Sequence, residues 1–357
     1  MERINTTHLN WGPPGESKLP LLPETEAMED LLIGVLTEHN IDFERQDGVI
    51  WTCGPSGNGR TVALLRQILS EPARRAVGVV VPAYNGFPVA RPLDDWWHLS
   101  ETGWFDRAVA DDRFETWFQP IVDTTENCVF AHECLIRLNS VRLYGGLEIL
   151  RAARIRGQLQ SFDGYARRLA LRSVGRMAGR PKVMVNFIPA TIYNPDAFVS
   201  EVSDEIDMHG LLRQQIVLEA VGSDAMLDHT HLGRIADLCR RRDIGFSLDD
   251  VGVGATAAKL TVNLRPDFVK LDRRIVENVE RPAEASTVRK LVEVAARNGS
   301  VIVAKGVEKT RTVENLWLLG VQCMQGYLFG RAVPQPEQVM PLDSDTPENG
   351  CREASGR

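Results

Sequence analysis

The chain has 357 residues, enough for a barrel-sized domain of about 250 residues with a smaller companion. Hydrophobic residues at 43% and charged residues at 25% lie near the globular average, which excludes a chain that is mainly disordered, collagenous or membrane-embedded. With 41 Lys and Arg against 48 Asp and Glu the net charge is −7, so no global positive field exists to hold a nucleic-acid polymer or an anionic membrane. No apolar run approaches the roughly 18 residues of a spanning helix, and MERINTTHLN has no apolar signal region, so no membrane insertion is expected and the cytoplasm is the default address. Cys53, Cys128, Cys134, Cys239, Cys323 and Cys351 form no CxxC pair, and neither a disulfide framework nor a zinc site is expected.

Residues 1–24 contain WGPPGESKLPLLPE, where Pro and Gly recur too often for a regular element, and an extended lead-in is expected. A helical pattern from Glu26 (AMEDLLIGVLTEH) leads to DFERQDGVIWTC, where Asp47-Gly48 signals a turn between two strands. TVALLRQILSEPARRAV reads as a helix and GVVVPAY as a short buried strand, so residues 25–95 form a small α/β accessory unit. Within it, GPSGNGRT (from Gly54 to Thr61) has the spacing of a phosphate-binding loop. Arg60 replaces the lysine that reaches the phosphates, and no strand with an acidic metal partner follows, so a glycine-rich turn is the simpler reading. Residues 96–112 read as a connecting helix. Its Trp96, Trp97, Trp104 and Phe105 are too many large aromatics for a free linker. They either dock the accessory unit, mediate a homodimer, or build a local core.

Residues 113–337 change rhythm: ETWFQPIVD, AHECLIRL, VMVNFIP, QIVLEAV, IGFSLDD, DFVKLD, VIVAKGV and CMQGYLFG alternate with helical stretches such as LEILRAARIRG and MLDHTHLGRIADLCRRR. This alternation predicts a parallel sheet, and the number of strands suits a TIM-like (β/α) barrel, with a doubly wound sheet as the alternative. Residues 338–357 are polar and aperiodic, and a disordered tail is expected.

Polar and charged residues fall at or just after the ends of these runs: Glu133, Asn186, Glu219, Asp249, Asp250, Lys270, Lys305 and Glu308. In a barrel of parallel strands, successive strand ends surround one mouth, so positions distant in sequence converge. Carboxylates with an Asn make a hard, all-oxygen site suited to Mg²⁺ or Mn²⁺. Adjacent Asp249 and Asp250 could serve two cations, one carboxylate bridging them.

The segments FQPIVD, ECLIRL, VNF, VLE, DDVGVG, VKLD, AKGVE and QGYLFG resemble, in order and spacing, those of the EAL-domain family, a barrel that binds and usually hydrolyses cyclic di-GMP. The resemblance implies that Glu133, Asn186, Glu219 and Asp249 hold one divalent cation and that Asp249 and Asp250 serve a second. It places Lys270 by the attacking water and scissile phosphate, and makes Arg137 the phosphate-contacting arginine, whose planar fork can grip two oxygens. Gln119, Gln325 and, more loosely, Asp163 match positions near the nucleotide.

Departures from the family pattern bear on activity. Cys134 stands where the signature has Ala, a small apolar exchange. Lys305 stands where the family has the Glu of AEGVE, the catalytic base or second-metal partner, while Glu308 matches the second Glu of that motif. Among acidic neighbours an ammonium stays charged, so Lys305 cannot accept a proton and can occupy the volume of a cation. The alternative is that it turns to solvent. Gly222 replaces a loop-bracing Glu, and DDVGVGATA replaces DDFGTGYSS. These departures point to a catalytically degenerate receptor for cyclic di-GMP or a module for a protein partner, against an active phosphodiesterase forming pGpG.

Overall fold

The computed structural model describes residues 19–52, 57–82, 88–177, 179, 181–221, 229–252 and 255–336. The chain divides into two compact units, Met1–Ala110 and Asp111–Arg357.

In the first unit, Leu19–Pro23 form strand β1, within the stretch expected as a lead-in. Its prolines are tolerated because Pro20 lies beyond the pairing with the strand on one side and Pro23 beyond the pairing with the other. Thr25 accepts a hydrogen bond from Met28 N at 3.2 Å and so starts helix α1 (Glu26–Glu38). Strands β2 (Phe43–Gln46) and β3 (Val49–Thr52) form the expected hairpin. Asp47 and Gly48 between them both have positive φ, as a tight primed turn requires.

Strands β4 (Val77–Pro82) and β5 (Pro88–Pro92) complete an antiparallel sheet of order β2-β3-β1-β4-β5. Leu19, Leu21, Ile50, Val77 and Val79 from the sheet pack with Leu32 and Leu36 of α1. Val62 and Leu65 of α2 (Gly57–Ile68) join the same core. Cys53 to Ser56, at the centre of the candidate phosphate loop, lie outside the described residues. β3 pairs antiparallel with both neighbours, unlike the strand of a parallel strand–loop–helix phosphate unit.

After the short helix α3 (Glu71–Arg75), the stretch expected as one connecting helix carries two, α4 (Leu93–Glu101) and α5 (Gly103–Ala110). Of its aromatics, Trp96 and Trp97 pack against the core of this unit, and Phe105 is fully buried.

The second unit is a closed barrel. Strands β6 (Phe114–Asp123), β7 (Cys128–Asn139), β9 (Val183–Phe187), β10 (Ile216–Ala220), β11 (Gly245–Val251), β12 (Phe268–Leu271), β13 (Val301–Lys305) and β14 (Cys323–Gln325) close through the β6–β14 and β6–β7 pairings. The two-residue strand β8 (Leu143–Tyr144) extends β7. Helices α6 (Gly146–Ile155) and α7 (Leu159–Val174) precede β9. Further on, α8 (Pro195–Met208), α9 (His229–Arg240), α10 (Ala255–Leu264), α11 (Arg273–Glu277), α12 (Pro282–Asn298) and α13 (Thr310–Leu318) link the later strands. The expected barrel is present, but its sheet is not wholly parallel: β6 runs antiparallel to both β7 and β14. A short turn joins β6 to β7, so no crossover helix is needed there.

Alternation along the strands fills the barrel. Ile121, Ala131, Met184, Val217, Phe268, Val303 and Cys323 form one buried cluster. Each stands two positions from a predicted site residue, respectively Gln119, Glu133, Asn186, Glu219, Lys270, Lys305 and Gln325. Side chains two apart on a strand share a face, so the site is the adjoining interior layer. Ser247, buried and two before Asp249, continues the pattern on β11. Cys134, Cys239 and Cys323 are free and buried.

Candidate functional site

At the floor of the barrel mouth Lys270 is fully buried, and its ammonium donates to Glu133 Oε2 at 2.7 Å and to Glu219 Oε1 and Oε2 at 2.8 and 3.1 Å. Glu219 is likewise fully buried. Burial opposes ionisation of Glu133, yet the Lys270 charge and the hydrogen bonds it receives hold its carboxyl at about 2. Burial pushes the Glu219 carboxyl above the usual carboxylate range, against the pull of Lys270. For Lys270 the cost of desolvation is outweighed by Glu133 and Glu219, so its ammonium is held above the ordinary lysine range.

Amides brace this floor. Asn186 Nδ2 donates to Glu133 Oε1 at 3.1 Å, and Gln325 Nε2 donates to Glu133 Oε2 at 2.7 Å and to Gln119 Oε1 at 3.3 Å. Gln119 in turn donates to Gly330 O at 3.2 Å. Among the described residues, Asn186 Oδ1 and Gln325 Oε1 are buried with no partner.

Above the floor, Lys305 Nζ donates to Asp249 Oδ1 at 2.6 Å and also contacts Asp250 Oδ1. Desolvation works to lower its pKa, but Asp249 and Asp250 raise it above the ordinary lysine value. Two consecutive aspartates on a regular strand would face opposite sides. Here the register with β12 shifts between Leu248 and Val251, and Asp250 has a φ of +53°, a bend that brings both carboxylates to one ammonium. Val253 and Gly254 of the following loop, and Gly222, lie outside the described residues.

Gln119, Glu133, Asp250, Lys305, Glu308 and Gln325 line one cleft of about 390 Å³. Glu308 lines the same cleft and accepts from Arg273 Nη2 at 2.9 Å. Arg273 also donates to Glu277 Oε1 at 2.5 Å. Gly306 has a φ of +77°, and a Cβ there would lie 2.6 Å from Arg273 Cγ, so glycine is needed where the chain turns out of β13.

Leu135, Arg273 and Tyr327 also line the cleft and were not singled out from sequence. Leu135 and Tyr327 each follow a site residue by two positions, a signal that alternation carries; Arg273 has no such signal.

Arg137 is not among the cleft-lining residues; its Nη1 donates to Ile136 O at 2.9 Å. Asp163 lies apart from the mouth cleft, buried on α7, where it accepts from Ile188 N, Thr191 Oγ1 and Arg167.

The EAL domain pattern matches residues 103–332. The chain belongs to the EAL family. It is 26% identical over 233 residues to the probable cyclic di-GMP phosphodiesterase PdeD of Escherichia coli K12, covering 63% of this chain and 43% of that protein. To the blue light- and temperature-regulated antirepressor BluF of the same strain it is 24% identical over 220 residues, covering 60% of this chain and 53% of BluF. The chain thus spans about half the length of these relatives. Among solved structures, the Xanthomonas citri FimX EAL domain in complex with cyclic di-GMP superposes with a TM-score of 0.61 at 16% identity, over 69% of this chain and 99% of that one, a likeness of fold. No helix among the described residues is long and apolar enough to cross a membrane.

Proposed function

We propose that the barrel is a receptor for cyclic di-GMP whose phosphodiesterase chemistry is lost or strongly reduced. Membership of the EAL family ties the barrel to cyclic di-GMP signalling, and a fold neighbour carries that nucleotide in its solved complex. The observation that carries the rest is Lys305, whose ammonium lies 2.6 Å from Asp249 and also meets Asp250.

The residues fit cations unequally. Asn186 Oδ1, buried and without a partner among the described residues, is a carbonyl donor suited to a hard cation. With Glu133, Glu219 and Asp249 it would hold one Mg²⁺ or Mn²⁺, which would polarise a phosphate oxygen when bound. As they stand, however, no three His, Cys, Asp or Glu side chains among the described residues are grouped to hold a metal ion. The second site does not fit, because Lys305 supplies positive charge where Asp249 and Asp250 would meet that cation.

Lys305 and Lys270 can attract the phosphodiester. Arg137 would add a planar fork on swinging from Ile136 O, and Gln119 and Gln325 offer amides. Among the described residues, the two at the family's base positions, Lys305 and Glu308, are poorly suited to activate water. Lys305 is held charged and cannot accept a proton, and Glu308 pairs with Arg273. Loss of a general base is worth about 10² to 10⁴ in rate.

The test is incubation of the purified chain with cyclic di-GMP and Mn²⁺, following pGpG, together with calorimetry of binding. Saturable binding without turnover is expected. Turnover matching an active family member would establish the phosphodiesterase instead, and absence of binding with or without metal would leave a protein-interaction module.

A further inference from the structure

Asp163 was matched to the nucleotide site, yet every contact it makes points elsewhere. Its side chain and that of Arg167 are each only 6% exposed and are ion-paired. Asp163 Oδ1 accepts from Ile188 N at 3.1 Å, and Oδ2 accepts from Thr191 Oγ1 at 3.1 Å. Ile188 O accepts from Thr191 N at 3.0 Å, so both polar groups of the Ile188 backbone are tied to this cluster. Arg167 is itself anchored, its guanidinium stacking 4.6 Å from the centre of the Phe198 ring on α8. A buried ion pair with its remaining oxygen sites filled is rigid, and removing one partner strands the other charge.

Ile188 is two residues past Asn186. Asn186 is the penultimate residue of β9, paired with Glu219 on β10, and donates to Glu133 and to Cys134 O, at 3.1 and 3.4 Å. We infer that Asp163 and Arg167 are positioning residues: they hold the exit of β9 so that the Asn186 amide stays aimed at Glu133, and they do so without touching the ligand. The consequence for cyclic di-GMP rests on the receptor reading above.

Two measurements separate this role from a ligand contact and from plain stability. In the ligand-free full chain, Asp163→Asn should speed amide hydrogen exchange at Ile188 and across 186–191 at least tenfold, leaving β12 and β13 unchanged. Thr191→Val, which removes one hydroxyl, should do the same about threefold and guards against a misfolded first variant. Exchange unaltered in both, or raised throughout the barrel, overturns the inference.

For binding, Asp163→Asn should weaken cyclic di-GMP about tenfold in the wild-type background and also in Gln119→Ala, but hardly at all in Asn186→Ala. Full weakening in Asn186→Ala would make Asp163 a direct ligand contact and overturn the inference. If the wild-type chain binds no cyclic di-GMP, the receptor reading fails, and the exchange experiment still decides the positioning role.

Discussion

Each of the two units joins carboxylate to cation, and the contrast separates scaffold from site. In the accessory unit Asp94 accepts from Arg66 Nε at 2.7 Å and Arg74 Nε at 2.9 Å, with side chains 22–30% exposed. Water and salt reach this cluster, so it ties α2, α3 and α4 together at little desolvation cost and with little net gain. In the barrel, Lys270 and Glu219 are fully buried, and two ammoniums stand among four carboxylates. Burying such charges costs several kcal/mol each, about as much as their pairing returns. An apolar filling like the Met184, Val217 and Phe268 layer beneath would stabilise at least as well. Retaining charge in this layer is therefore better explained by a ligand than by folding.

The largest expected effect breaks the buried cluster. Lys270→Met leaves Glu133 and Glu219 facing each other without a cation, and about 3–5 kcal/mol of stability should be lost in chemical denaturation. A loss below about 1 kcal/mol would mean the mouth is as solvated as the Asp94 cluster, and the contrast would fail.

A second variant sharpens it. Lys305→Glu turns one positive charge into one negative beside Asp249 and Asp250. At an effective dielectric of 20, a unit charge at 4 Å is worth about 4 kcal/mol, so Mn²⁺ affinity by calorimetry should rise about tenfold or more. Formation of pGpG should return only in part, since residues that act as a unit respond non-additively. Unchanged Mn²⁺ affinity would show that Lys305 does not take the place of a cation.

The smallest effect lies in the accessory unit. Asp94→Asn should cost about 0.2–1 kcal/mol, shrinking further in 0.5 M NaCl. Burial works to raise the Asp94 pKa, but Arg74 and Arg66 outweigh it and hold it below the usual 3.8. Its contribution is therefore present above that unfolded value and is lost as pH falls through the lowered one. Urea titrations of wild type and Asp94→Asn should converge at that acid limit; divergence there would refute the pairing.

Much of the candidate site was legible because a strand has only two faces. Once Met184, Val217, Phe268 and Val303 are read as interior, Asn186, Glu219, Lys270 and Lys305 must be interior too. The same rule misleads at Asp249 and Asp250, where a register shift and a left-handed residue override alternation. Spacing also could not show that Glu308 pairs with Arg273, or that Asp163 is enclosed by Arg167 and Thr191. Those partners are 35, 4 and 28 residues away, and which of many candidate cations and hydroxyls is met depends on how the helices pack.

By itself the amino-acid order determined the barrel, its interior faces and the exchange of a carboxylate for Lys305, because side-chain alternation and charge are properties of the chain. Tertiary structure decided three other things: that β6 runs antiparallel, that the prolines of β1 are accommodated, and that the Lys305 ammonium reaches two carboxylates rather than solvent. Each depends on which backbone lies alongside and how much water is excluded, and those distances exist only once the sheet has closed.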